Sequence, residues 1–204
     1  MIKRISIIFF LIVFGFVVAA QKQPDTYFVE LVYKMVFQPD STDNKKSEEQ
    51  MSLFLNEEQS VFCSTNYITM DSAIIAELEK GNRMGPSLGF LNSFGTKNGL
   101  IIFKTPEEII TYDKIAQYIF EPYFYKEKKD KLEWSITKDT MNLQGLPCQK
   151  AELFYGNRKW VAWFAPSIPI SEGPYKFWGL PGLIVNIYDI QKYWSFSLIG
   201  LNPT

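Results

Sequence analysis

Four residues late in the chain, Gly179, Leu180, Pro181 and Gly182, constrain what it can fold into more than any others. Two glycines flanking a Leu-Pro pair dictate a tight turn, because glycine enters the left-handed backbone region without steric cost and proline holds φ at about −65°. The turn lies inside a run, residues 173–189, that is dense in large apolar side chains, and residues 183–188 after it have the apolar, β-branched composition of a strand. A turn this stiff between aromatic segments is a packed element. The rest of the chain is expected to be arranged around it.

The wider pattern is β-rich. Seventeen phenylalanines, 11 tyrosines and 5 tryptophans suit a pleated, half-buried surface. Strands are expected at 27–37, 51–56 and 60–64, then at 100–105, 108–112, 118–125 and 132–137, and finally at 149–155, 159–164, 183–190 and 194–201. Residues 40–50 read as a polar excursion, and Lys126 to Lys131 as a solvated charged turn. Gly156, Asn157 and Arg158 form a natural hairpin turn. One helix is expected at 70–80, capped by Asp71 or Ser72 and stopped by Gly81, and a glycine-rich surface loop follows over 81–99. The expected fold is therefore mainly β (α+β), a single curved antiparallel sheet or half-barrel with one or two short helices. This order is similar to that of LolA-like half-barrels.

Residues 179–184 spell Gly-Leu-Pro-Gly-Leu-Ile. Together with Trp160, Val161, Ala162, Trp163, Phe164 and Ala165 upstream, and the intervening run Ile168 to Phe177, they resemble the GLPGLI family. That resemblance covers residues 132–189. It implies an exported bacterial protein without an assigned activity, in which Gly179, Leu180, Pro181, Gly182, Leu183 and Ile184 are a structural motif. Family members usually run further, so a C-terminal piece beyond Thr204 is expected, its absence leaving a sheet edge uncovered.

The N-terminus has a cationic start at Lys3 and Arg4, an apolar run from Ile5 to Val18, and small residues Ala19 and Ala20 before polar Gln21. This order is that of a secretory signal peptide, and the apolar run falls short of the roughly 20 residues a spanning helix needs. The expected organisation is a signal peptide at 1–20 and one β-rich domain at 21–204, periplasmic or secreted, with no membrane span after cleavage. Cleavage near Ala20 removes two positive charges and makes the formal net charge more negative than −1. Only Arg83 and Arg158 remain as arginines, which argues against nucleic acid as a partner. Cys63 and Cys148 are the two cysteines; in an oxidising compartment they are a candidate disulfide, with two unrelated buried thiols as the alternative.

No histidine occurs in the chain. This removes the usual general base, the Ser-His and Cys-His nucleophile pairs and the commonest zinc ligand, so no metal or other cofactor is expected. Ser135 to Lys138 matches S-x-x-K, yet it continues a strand and lacks the companion motifs of a penicillin-binding protein. A hydrolase working through paired carboxylates is the remaining enzymatic route. Its candidates, Glu172 and Asp189, read more simply as a turn cap and a hairpin start. The aromatics Trp160, Trp163, Phe177 and Trp178 are the candidate binding residues, offering an apolar ligand or an envelope protein partner a groove that Lys159 and Lys176 would rim. The bland reading of the same residues is a core packed on both faces.

Overall fold

The backbone conformations at the turns follow from the residues placed there. Gly156 and Asn157 both have positive φ, +57° and +59°, which is the requirement of a type I′ turn between right-twisted strands. Gln144 and Gly145, at +51° and +83°, do the same one hairpin earlier. The structure is a computed structural model and describes residues 29–80, 95–113 and 123–203. The expected signal peptide and the glycine-rich stretch 81–94 lie outside those residues.

Eleven strands form one antiparallel sheet. They are β1 (Val29–Phe37), β2 (Ser47–Leu55), β3 (Ser60–Ser64), β4 (Ile101–Lys104), β5 (Glu108–Asp113), β6 (Tyr123–Lys128), β7 (Ser135–Leu143), β8 (Leu146–Tyr155), β9 (Arg158–Ala165), β10 (Leu183–Asp189) and β11 (Trp194–Pro203). The spatial order β6-β5-β4-β3-β2-β1-β11-β10-β9-β8-β7 makes two meanders that meet where β1 pairs with β11. The edge strands β6 and β7 are thus consecutive in sequence, joined only by residues 129–134. A flat sheet would separate them by ten strand spacings, about 48 Å. Seven peptide units from Lys128 to Ser135 reach at most about 25 Å. The sheet must curl, and it forms an open half-barrel. Bulges assist the bend, at Val32/Tyr33 where β1 meets β11 and at Ile184/Asn186 where β10 meets β9.

Several boundaries differ from expectation for local reasons. β2 begins at Ser47, inside the expected polar excursion, because Glu49 points inward and is buried. Its carboxylate accepts hydrogen bonds from Ser64 Oγ (2.5 Å) and Thr96 Oγ1 and from the backbone N–H groups of Lys97 (3.0 Å) and Asn98 (2.9 Å). Helix α1 (Thr65–Glu79) starts five residues before the expected position. Its cap is Ser64, whose Oγ accepts from Asn66 N–H at 3.2 Å, rather than Asp71 or Ser72. α1 packs against β2 and β3. Lys126 to Lys128 belong to β6 and are not a turn. Cys63 on β3 and Cys148 on β8 are both buried, and no disulfide joins them in the structure.

Candidate functional site

The segment between β9 and β10, residues 166–182, folds into a compact loop closed on itself by backbone hydrogen bonds. Gly179 N–H donates to Ser171 O (3.1 Å), Leu183 N–H to Ile168 O (3.1 Å) and Ile184 N–H to Glu172 O (3.1 Å). Gly182 N–H reaches back to Leu180 O at 2.8 Å, a three-residue turn centred on Pro181, whose fixed φ suits it. Gly179 and Gly182 have φ of +92° and +149°, so both positions of the motif demand glycine.

This loop is held by both meanders of the half-barrel. On one side Lys104 of β4, fully buried, donates to Gly173 O (2.8 Å) and Phe177 O (3.2 Å) and pairs with Glu172. An ammonium has three N–H donors, and Lys104 meets three acceptors. Burial lowers its pKa more strongly than Glu172 raises it. Lys129 also faces Glu172, at 3.6 Å, and Lys176 pairs with Glu127 of β6 and donates to Tyr125 Oη at 3.1 Å. On the other side Phe177 is fully buried among Trp134, Tyr155, Trp160 and Tyr175, its closest ring neighbour being Trp160 at 4.6 Å between centroids. Tyr33 of β1 donates its hydroxyl to Ile184 O at 2.7 Å, beside the β10 bulge.

The four candidate binding aromatics are therefore mostly interior. Trp160 is 5% exposed, Trp163 8% and Phe177 0%, so they do not form the open groove that the sequence suggested. The physical reason is that β9 is covered on both faces, Val161 and Trp163 being buried as well as Trp160, Ala162 and Phe164. Trp178 is half-buried, with Lys129 over its ring at 4.5 Å and its Nε1 without a hydrogen-bond partner among the described residues. Lys176 is buried in the loop rather than placed on a rim, and Lys159 pairs with Glu152 at 2.8 Å. Both carboxylate candidates are in ion pairs. Glu172 has Lys104 and Lys129; Asp189 has Arg158 at 2.8 Å and accepts Trp194 N–H at 2.8 Å, the hairpin-start role.

Trp160 does line a cavity of about 240 Å³, with Leu100, Tyr155, Gly156, Arg158, Tyr175, Trp194 and Phe196. Its walls are fixed rings. Trp160 Nε1–H donates to Tyr155 O (3.0 Å), Trp194 stacks on Phe37 (5.3 Å, 16°) and Tyr175 stacks on Phe196 (6.3 Å, 14°). Burial raises the hydroxyls of Tyr155 and Tyr175 to a pKa of about 12, with Glu127 adding to the effect at both and Lys176 opposing it at Tyr175. Tyr175 carries φ +56°, a conformation costing a non-glycine residue about 1–3 kcal/mol, and such strain collects at sites where a side chain must be aimed. Leu100 is placed through the buried Glu49 contacts, since Asn98 Oδ1 accepts Leu100 N–H at 3.1 Å. Of these wall residues the sequence singles out Trp160 as a binding candidate. The scarcity of arginine could have drawn attention to Arg158.

Among known families, residues 111–186 match a family described as a protein of unknown function (Porph_ging). No curated protein matches the chain in sequence. Solved structures that share the fold include PNGF-II in its P21 and C2 crystal forms, each with a TM-score of 0.56 and 11% identity over 88% of this chain. The match covers 29% and 28% of the respective PNGF-II chains, so this chain spans less than a third of that protein's length.

Proposed function

We propose that this protein is an exported, non-enzymatic binding module of the GLPGLI type, whose ring-walled cavity above Trp160 takes a small apolar ligand. The observation carrying this reading is the cavity itself, whose walls are held in place by stacking and hydrogen bonds rather than collapsed. Against hydrolysis stands the engagement of Glu172 and Asp189 in ion pairs and backbone contacts, which leaves neither carboxylate unpaired. Export rests on the charged, apolar and small-residue order of residues 1–20, and N-terminal sequencing of the mature protein tests it.

A neutral single-ring probe such as benzyl alcohol tests the cavity. It should raise the melting temperature of the parent and leave unchanged that of Leu100→Trp, in which the indole fills the space. A parent unaffected at millimolar probe would overturn the reading. A protein partner is the second reading, and Phe154, 72% exposed on β8, is the observation that favours it. Phe154→Ser would then remove partner binding and leave probe capture intact.

A further inference from the structure

The cavity has one charged wall. Arg158 lines it with its side chain 37% exposed, and its position is set from beneath: Nη1 donates to Asp189 Oδ2 at 2.8 Å, and the guanidinium carbon lies 5.5 Å from the centre of the Tyr193 ring. Asp189 is itself fully buried, with Oδ1 engaged by Trp194 N–H, so it cannot swing away. A guanidinium has five N–H donors. One of Arg158's is engaged among the described residues. The others belong to a planar fork held by Asp189, on a residue that lines an apolar cavity whose remaining side chains are Leu100 and five aromatic rings.

We infer that the ligand of this cavity is a small aromatic monocarboxylate, its ring among Tyr155, Trp160, Tyr175, Trp194 and Phe196 and its carboxylate on Arg158. The inference rests on the binding reading above and goes beyond it by naming the head group. Size decides against a lipid, because about 240 Å³ lies below the roughly 300 Å³ at which drug-sized ligands begin to fit. One ring with a short acidic arm fits the space. Charge decides for an acid, because a fixed arginine fork matches a carboxylate in plane and spacing, whereas it would repel an ammonium. The Asp189 beneath offsets part of the positive field, so the preference over a neutral analogue should be moderate, roughly tenfold, one charge-assisted hydrogen bond's worth.

Calorimetry with 3-phenylpropionate and its uncharged amide, 3-phenylpropionamide, tests this on the mature protein. The acid should bind roughly tenfold more tightly, and added salt should narrow the gap. Equal affinities would overturn the head-group inference while leaving the apolar cavity standing; binding of neither would overturn both. Arg158→Lys keeps a cation for Asp189 but loses the fork. It should lose most of the preference for the acid over the amide, and a variant that kept the full preference would rule out Arg158 as the anion's partner.

Discussion

Adding a single methyl group at Gly182 should be among the most damaging small changes available in this chain. A Cβ built there lies 2.4 Å from the carbonyl oxygen of Ala165, 2.7 Å from its carbon and 2.9 Å from Pro166 Cα, all backbone atoms at the end of β9. Ordinary contact would require the two segments to part by about 1 Å. That movement would strain the Leu183–Ala165 pairing and the Ile168 N–H to Ala165 O bond, both of which define the start of the loop. Gly179 is the internal control. Its φ is also positive, but a Cβ would meet nothing nearer than Trp134 Nε1 at 3.9 Å, so Gly179→Ala carries the backbone cost alone, about 1–2 kcal/mol. Gly182→Ala adds a clash that no rotamer relieves and should exceed about 4 kcal/mol. For a domain of this size each kcal/mol moves the melting temperature by about 2–4 °C. Urea and thermal unfolding followed by tryptophan fluorescence should rank the parent, Gly179→Ala and Gly182→Ala in that order, with the last far below. If Gly182→Ala melts with or above Gly179→Ala, the reasoning from close backbone approach is wrong.

Lys104→Met should cost about 3–5 kcal/mol in urea denaturation, because it takes from Glu172 the nearer of its two cations and leaves two loop carbonyls without their donor, and adding Glu172→Gln should recover part of the loss. Alkaline stability should also fall. Tyr155 and Tyr175 have folded pKa values near 12 against a reference of 10.0, so the unfolded chain loses its protons first; their contribution is complete below pH 10 and disappears as pH rises toward about 12. Equilibrium unfolding across that window should show the decline, reduced in Tyr175→Phe, and an unchanged slope in that variant would count against the assignment.

Much of the sheet could be read from composition, since the strands that bury one or two apolar faces announce themselves by their residues. What failed was local polarity overruled at a distance. Glu49 and Lys104 look like surface charges in sequence and are buried in the structure, because each is matched by groups that arrive from elsewhere in the chain: the Thr96 hydroxyl and the backbone of Lys97 and Asn98 for one, Glu172 and the loop carbonyls for the other. Nothing in the residues around Lys104 names those partners. β7 hid for the opposite reason. As an edge strand paired only with β8, it is exposed along most of its length and carries no apolar stripe to reveal its extent. At the candidate site, aromatic density pointed to side chains that are mostly interior, and of the four only Trp160 lines that cavity. Rings that pack a two-sided strand and rings that wall a cavity have the same composition, and only the fold separates Trp163 from Trp160.

The seam between β1 and β11 sets a condition on when this molecule can become a folded protein at all. Each meander can zip through neighbours close in sequence, but the two halves are joined in the sheet only by pairing Val29 with Pro203 and onward to Phe37 with Trp194. Loop-closure entropy for that contact spans nearly the whole described chain and is repaid only when the last strand docks. Until then β1 and β10 each present an unpaired, largely apolar edge in the middle of what will be the sheet. A chain released or cut before Trp194 would hold two half-sheets with complementary sticky edges, one copy able to lend β1 to the β10 of another. The same arrangement that leaves the finished half-barrel without a central gap makes its last ten strand residues the element that decides between a monomer and an exchange-linked aggregate.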